Sequence, residues 1–272
     1  MIEALQKMLQ TDFMLRALLA VVLIAPLFTG LGTLVVNNGM SFFSDALGHS
    51  ALTGVGIGML LGVSVQTSDW VMIVFAVLFA LLMNRIRYMH LASTDAVIGV
   101  FSACGVALGL ILLSKAGSFA RYQSLLIGDI LSVTGRQLVM VAVTLAVVLA
   151  LWLWLFNRIF AVSIHASLAR SRGLPVRALD HVLVAVLAVV VMLAIRWVGL
   201  LLINAMLILP AAAARNFARS IRSYFLLTLC FSLFSGVLGL VMSYWQAVAA
   251  GPMIVLIAGV LFFASIPLSR KA

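Results

Sequence analysis

Of the 272 residues, 65% are hydrophobic and 9% are charged, and the mean hydropathy is +1.27. Soluble domains carry about 25% charged residues, so this composition excludes a water-soluble globular protein. A bilayer span needs about 20 consecutive apolar residues, and such runs recur along the chain. Only helices and closed barrels satisfy every backbone polar group in lipid. The apolar runs are continuous and do not alternate with a period of two, which favours helices over a barrel.

Nine apolar stretches follow one another, and they predict an all-α polytopic membrane protein with eight or nine transmembrane helices. No small-residue cleavage site follows the first stretch, so a cleavable signal peptide is not expected. The two stretches that meet near Gly199 form either a helical hairpin or one long broken helix. No domain boundary is visible, so we expect a single membrane domain over residues 1–272. The stretches are 13–36, 45–66, 70–84, 95–113, 138–158, 179–198, 200–214, 223–243 and 251–268.

The positive charges indicate which loops face the cytoplasm. Lys and Arg total 17, and most of them fall on alternate loops. The net charge of +10 reflects this bias, with attraction to anionic lipid, and does not indicate nucleic-acid binding. Nine full crossings would place the N-terminus outside, whereas eight would allow it inside. The loops assigned to the cytoplasm hold Arg85, Arg87, Arg158, Arg170, Arg172, Arg177, Arg215, Arg219, Arg222, Arg270 and Lys271.

Ionisable side chains inside a membrane are costly and mark function. The chain has seven acidic residues and four histidines. Asp69, Asp95 and Asp180 lie at predicted span ends, where a solvated or helix-starting carboxylate is ordinary. Asp129 either lines an external vestibule or caps a short helix, and we favour the structural role. The informative pair is Asp45 and His49, which lies within an apolar stretch.

Asp45 and His49 are four residues apart, which places both side chains on one face of a helix. A carboxylate and an imidazole so placed can hold a divalent cation, and these ligands suit zinc, manganese or ferrous iron. The same spacing also permits a plain hydrogen bond between them. A row of small residues adjoins the pair, lets another helix approach closely and directs the polar face with Thr53 toward the protein interior. The row is Ala46, Ser50, Gly54, Gly58 and Gly62, with Gly56 beside it.

Five segments, taken in chain order, match the pattern of one family: 40–58, 126–131, 173–177, 198–215 and 251–256. The first segment matches at Ser41, Asp45, Ala46, Leu47, His49 and Ala51. It resembles the segment close to S-x-x-G-D-A-L-S-H-A in permease subunits of zinc, manganese and iron ABC importers. Ser44 stands where glycine is usual, and Gly48 stands where serine is usual. Before the cytoplasmic helix the family commonly has an acidic residue and proline, whereas this chain reads Ser163-Ile-His165-Ala.

The resemblance implies an ABC importer permease bundle in the cell membrane of a bacterium. It implies pairing with a second permease chain, identical or related, and docking of a cytoplasmic ATPase dimer that uses the ATP. An external metal-binding protein would deliver the zinc, manganese or iron. Asp45 and His49 would bind the transported ion, with Asn204, Met206 and Asp129 as candidate neighbours.

The resemblance also places the coupling helix, which sits in a groove of the ATPase, in the basic loop 161–178. Gly173 and Pro175 are expected to stop this short helix. The alternative is an ordinary basic loop that follows the positive-inside bias. The expected ATPase contacts are Ala169, Arg170, Arg172, Gly173, Leu174 and Pro175.

ATP hydrolysis by the chain itself is not expected. Its lysines Lys7, Lys115 and Lys271 all lack the Gly-x-x-x-x-Gly-Lys context of a P-loop. A self-sufficient secondary cation transporter or channel is the alternative function, but it predicts several ionisable residues within the membrane. A membrane metalloenzyme would need about three ligands around its metal, as on a His-Glu-x-x-His helix, and that motif is absent.

Overall fold

The computed structural model describes residues 11–62, 69–89, 92–117 and 130–269, and this part of the chain contains helices and no strand. A short 3₁₀ turn at Ile130–Ser132 precedes the fifth helix. The all-helical fold that the apolar runs predicted is confirmed. The helices are α1 (Asp12–Asn37), α2 (Ser41–Leu60), α3 (Asp69–Arg87), α4 (Thr94–Lys115), α5 (Gly135–Ile164), α6 (Ala166–Ser171), α7 (Val176–Val198), α8 (Leu200–Phe217), α9 (Ile221–Gln246) and α10 (Ala250–Ser265).

Each predicted apolar stretch corresponds to one long helix, and α6 is the additional short one. Within the described residues, seven helices are long and apolar enough to cross a membrane. The two other long helices are α2, whose polar residues lower its hydropathy, and α10, which has 16 residues. The number seven is slightly below the eight or nine spans predicted, while the polytopic helical architecture agrees with the prediction.

Gly199 alone separates α7 from α8. Its φ of 79° and ψ of 162° interrupt the helical hydrogen bonding there. Residues with a side chain rarely adopt this φ, so glycine is required at this position. The apolar sequence around it therefore forms two helices and not a single continuous one.

The helices pack into two compact units. Unit 1 contains α1 up to Val36, the part of α5 up to Trp152, and α8, α9 and α10. Gly32 of α1 lies so close to the backbone carbonyl of Leu207 on α8 that a Cβ would collide with it. At the end of the same helix, Arg215 donates a hydrogen bond to the Val36 carbonyl at 3.1 Å. Backbone contact and one side-chain hydrogen bond thus hold α1 against α8.

Unit 2 contains α2, α3, α4, the rest of α5, α6 and α7 up to Arg196. Its closest packing is between α2 and α4. A Cβ on Gly109 would lie 2.5 Å from Leu52 Cβ and 2.9 Å from the Thr53 nitrogen. The Thr53 hydroxyl donates to the Gly105 carbonyl at 2.6 Å. The close helix approach predicted from the small residues of α2 is therefore present.

The small-residue row of α2 is shorter than predicted. Ala46, Ser50 and Gly58 are buried, and Gly54 packs on α3, where a Cβ would lie 2.9 Å from Met72 Cα. The inclusion of Gly62 was wrong, because α2 ends at Leu60. Gly62 is exposed and has a φ of +73°, a conformation that ends a helix.

Two ion pairs join α3 to α7 at opposite ends. Asp69 at the start of α3 lies 2.7 Å from Arg196 near the end of α7. Arg87 at the end of α3 pairs with Asp180 in the second turn of α7. Asp180 lies near the start of α7, as expected for a helix-starting carboxylate, but it is not solvated: its side chain is 7% exposed, and the Arg87 guanidinium compensates its charge.

We expect Asp180→Asn to destabilise the protein by about 3–5 kcal/mol, because it leaves the Arg87 guanidinium, whose side chain is only 16% exposed, without its partner. Asp69→Asn removes the matching carboxylate where its side chain is 42% exposed. Its expected cost is therefore about 1 kcal/mol or less. Thermal unfolding in detergent micelles measures both, with the exposed Asp95→Asn as control. Equal losses at Asp69 and Asp180 would contradict the role assigned to burial.

Replacement of Gly109 should separate α2 from α4. Gly109→Ala is expected to cost about 1–3 kcal/mol, because its Cβ meets the backbone of Thr53 as well as a side chain. The matched control is Gly99→Ala on the same helix, where a Cβ meets nothing within 4 Å. The control should be neutral or slightly stabilising, since alanine favours helix. Similar melting temperatures for the two variants would show that the helix contact is looser than described.

Candidate functional site

Asp45 and His49 share one face of α2, as their spacing predicted. His49 Nε2 lies 3.5 Å from Asp45 Oδ2, and the side chains are 28% and 40% exposed, respectively. This separation is long for an N–H···O hydrogen bond, whose usual length is about 2.9–3.0 Å. If a cation bonded both atoms at about 2.1 Å, the angle between the two bonds would be about 110°, close to a tetrahedral angle. The geometry therefore suits a shared cation better than a direct hydrogen bond.

The packing of α2 fixes the direction of this face. Thr53 and Ser50 lie against α4, while Gly54 lies against α3. At about 100° per residue, His49 lies roughly 40° around the helix from Thr53 and Asp45 roughly 80°. Thr53 is buried, as expected for an interior face, whereas Asp45 and His49 are only half-buried. The pair therefore lies beside the α4 contact and remains accessible.

The histidine ring is held without a protein acceptor on its second nitrogen. His49 Nδ1 is buried and has no hydrogen-bond partner among the described residues. Histidines in permanent metal sites almost always donate from this second nitrogen to a carboxylate or carbonyl. The lack of such an acceptor suits a temporary ligand better than a structural one.

The described part of the chain holds no group of three or more His, Cys, Asp or Glu side chains arranged around a metal. The two-ligand set of Asp45 and His49 is thus incomplete by itself. The candidate neighbours Asn204 and Met206 lie on α8 in unit 1, where Met206 is 1% exposed. Asp129 lies outside the described residues. The assignment of these three as neighbours stays a prediction.

The predicted coupling segment contains the short helix α6. The loop is narrower than the predicted 161–178, because α5 continues to Ile164 and α7 begins at Val176. The Leu174 N–H donates to the Ala169 carbonyl at 3.1 Å, and the Gly173 N–H donates to the Arg170 carbonyl at 3.0 Å. This pair of bonds is a Schellman motif, and the φ of +75° at Gly173 is the left-handed position that it requires. Gly173 therefore ends α6, as the sequence predicted.

The same segment presents basic groups to solvent. Arg170, Arg172 and Pro175 are exposed, while Ala169 is 3% exposed and anchors α6. A cavity of about 560 Å³ opens beside it. The arrangement is an exposed, positively charged surface beside a cavity. The cavity is lined by Arg170, Leu174, Pro175, Val176, Arg177 and Ala178.

Tyr88 directly follows α3 and contacts the beginning of α7. Its ring stacks on His181, with centroids 6.2 Å apart, and the Arg87 and Arg177 guanidiniums lie 5.4 and 6.0 Å from its centre. Burial, followed by the Asp180 carboxylate, raises the pKa of Tyr88 to about 12 against the opposing effect of Arg87. The Tyr88 hydroxyl therefore stays protonated and uncharged at neutral pH.

Sequence reasoning missed three long-range contacts in unit 2. They are the two ion pairs between α3 and α7 and the hydrogen bonds from Asn37 to Ser163. A signal for the ion pairs was present: α3 and α7 each carry an acid near the start and an arginine near the end. Antiparallel neighbours with this charge order pair at both ends. Asn37 and Ser163 offered no comparable signal.

Comparisons with a family model and with known proteins indicate the same family. The ABC 3 transport family matches residues 10–269. The manganese import system permease protein ScaB of Streptococcus parasanguinis is 32% identical over 272 residues, which cover 99% of this chain and 95% of the relative. The high-affinity zinc uptake system membrane protein ZnuB of Haemophilus influenzae is 27% identical and covers 94% and 97%, respectively.

One solved structure is similar to this chain in both fold and sequence. The structure of PsaBC from Streptococcus pneumoniae in complex with Fab matches with a TM-score of 0.85 and 32% identity, over 100% of this chain and 97% of that chain. The resemblance stated from the five sequence segments is thereby confirmed. The chain belongs to the ABC 3 transport family and is a membrane permease.

Proposed function

We propose that this chain is the permease subunit of an ATP-driven importer for zinc, manganese or iron, and that Asp45 and His49 bind the ion on its way. The Asp45–His49 geometry on α2 carries this proposal, since its 3.5 Å separation suits one shared cation. The relatives named for manganese import and zinc uptake support the same class of ion. Nitrogen and oxygen ligands do not by themselves distinguish these metals.

The two protein ligands perform different tasks. The Asp45 carboxylate compensates part of the ion's charge as it leaves water, and the His49 nitrogen replaces one water ligand. Water or neighbouring side chains complete the shell, with Asn204, Met206 and Asp129 as candidates. A closed four-ligand site would hold the ion tightly, whereas this partial shell lets it leave.

The proposed assembly follows from what the chain lacks and what it exposes. ATP hydrolysis requires a separate cytoplasmic ATPase dimer, since no P-loop is present in the sequence. A second permease chain, identical or related, would cover the half-exposed face of Asp45 and His49. An external metal-binding protein would deliver the ion to the permease, and residues 1–272 would act as one permease domain that carries it across the cell membrane of a bacterium.

The contact with the ATPase is proposed at α6 and the turn that follows it. The exposed Arg170, Arg172 and Pro175 and the adjoining cavity support this position. The Schellman motif at Gly173 gives the segment a defined shape through local hydrogen bonds. A surface whose shape is already formed loses little conformational entropy on docking, which favours transmission of a movement.

Asp45→Asn is expected to reduce metal uptake more than about tenfold, because it removes the charge that compensates the dehydrated cation. His49→Gln keeps a neutral ligand and should reduce uptake less. Uptake of radioactive zinc and manganese in cells that lack their own importer measures both, with protein levels checked by immunoblot. Asp95→Asn, an exposed acid at the start of α4, is the control. Wild-type uptake by Asp45→Asn would reduce the pair to a structural contact.

Replacing Arg170, Arg172 and Gly173 together by alanine should uncouple ATP hydrolysis from transport while the membrane helices stay folded. Gly173→Ala strains the left-handed turn, and the arginine changes remove the charged contacts. Transport and hydrolysis are measured on the permease–ATPase complex in liposomes. The control replaces Arg219 and Arg222, two exposed arginines of another loop assigned to the cytoplasm. Undiminished transport by the triple variant would place the contact elsewhere, and ATP-independent transport would favour a secondary carrier.

A further inference from the structure

The turn between α1 and α2 is tied to the end of α5 by one side chain. Asn37 Nδ2 donates to the Ser163 carbonyl at 2.9 Å and lies 2.8 Å from the Ser163 hydroxyl oxygen, which accepts a second bond. Both residues belong to unit 2 and are half-buried. The contact joins positions 126 residues apart in the sequence, so it is a tertiary contact and not a local cap.

The Ser163 carbonyl needs such a donor. It belongs to the last turn of α5, where carbonyls lack an intrahelical partner. An amide donor from another helix satisfies it, and an aliphatic side chain cannot. Loss of the donor leaves a half-buried acceptor poorly satisfied. The pairing therefore fixes where α5 ends relative to the α1–α2 turn.

The two sides of this contact lead to the two functional segments. Ser163 precedes Ile164 and His165, after which α6 begins. Asn37 is the last residue of α1, and Asp45 follows one turn into α2. The turn between them is compact: Met40 is 1% exposed, and its carbonyl accepts from the Phe43 N–H at 2.9 Å. A shift of the α5 end is thus passed through Asn37 to the start of α2.

We infer that Asn37 is a positioning residue that links the coupling segment to the Asp45–His49 pair through Ser163. This inference rests on the proposed function, since it assumes that α6 receives the ATPase. The link transmits movement because it joins two helix ends by two bonds from one planar amide. A single bond would allow rotation about its axis, whereas two bonds restrict it.

The test is the number of metal ions transported per ATP hydrolysed by the permease–ATPase complex in liposomes, with zinc or manganese supplied on the binding-protein side. Asn37→Ala is expected to lower this ratio roughly five- to tenfold, with hydrolysis itself within about twofold of wild type. Asn38→Ala is the matched control, because it removes the same side chain from the next residue, for which the structure shows no such bond to Ser163. Its ratio should not change.

A second variant separates coupling from folding. Ser163→Ala removes the hydroxyl and leaves the carbonyl acceptor, so the ratio should fall less than with Asn37→Ala. An unchanged ratio in both variants would overturn the inference while leaving the importer function intact. Equal losses of hydrolysis and transport, with a lower melting temperature, would also overturn it and assign the contact to stability alone. A wild-type complex that moves no metal would instead overturn the proposed function and the inference with it.

Discussion

The close approach of α2 and α4 is the constraint on which the candidate site depends. Lipid provides no hydrophobic driving force between helices, so their association rests on packing and on hydrogen bonds. The missing side chain of Gly109 and the bond from Thr53 to the Gly105 carbonyl provide both. Contact of Gly54 with α3 then fixes the rotation of α2 about its axis. Asp45 and His49 consequently occupy the one sector of the helix that these contacts leave accessible.

The two ion pairs of unit 2 are separated by about the thickness of the hydrocarbon core of a bilayer. Asp69 and Arg87 lie at the two ends of α3, about 27 Å apart at 1.5 Å per residue. This length is close to the hydrocarbon thickness of about 30 Å. Their partners Arg196 and Asp180 lie at the matching ends of α7. Each pair therefore lies at one end of the two helices, and each acid–base order also complements the helix dipole.

The sequence was sufficient for features that depend on local chemistry. Continuous apolar runs predicted the helices, the i, i+4 spacing predicted the shared face of Asp45 and His49, and glycine predicted the end of α6 at Gly173. Features that depend on which helices become neighbours were not predictable in the same way. Asp180 was expected to be solvated or helix-starting at a span end, and its pairing with Arg87 was missed because Arg87 lies 93 residues earlier in the chain. The extension of α5 to Ile164 was missed because the polar Asn157 and Arg158 interrupt the apolar run, whereas the helix continues through the buried Ile159 and Phe160.

A transport site has to satisfy two opposing requirements, since it must compensate the charge of a dehydrated ion and then release it. Asp45 contributes the charge, and the two-ligand set avoids a closed shell. Release then has to be linked to an event elsewhere. The pair and the segment proposed to face the ATPase belong to the same compact unit, which contains both α2 and α6. We infer that a movement of α6 reaches the metal pair through contacts inside one unit, and the two hydrogen bonds from Asn37 to Ser163 join the helix ends that precede these two segments.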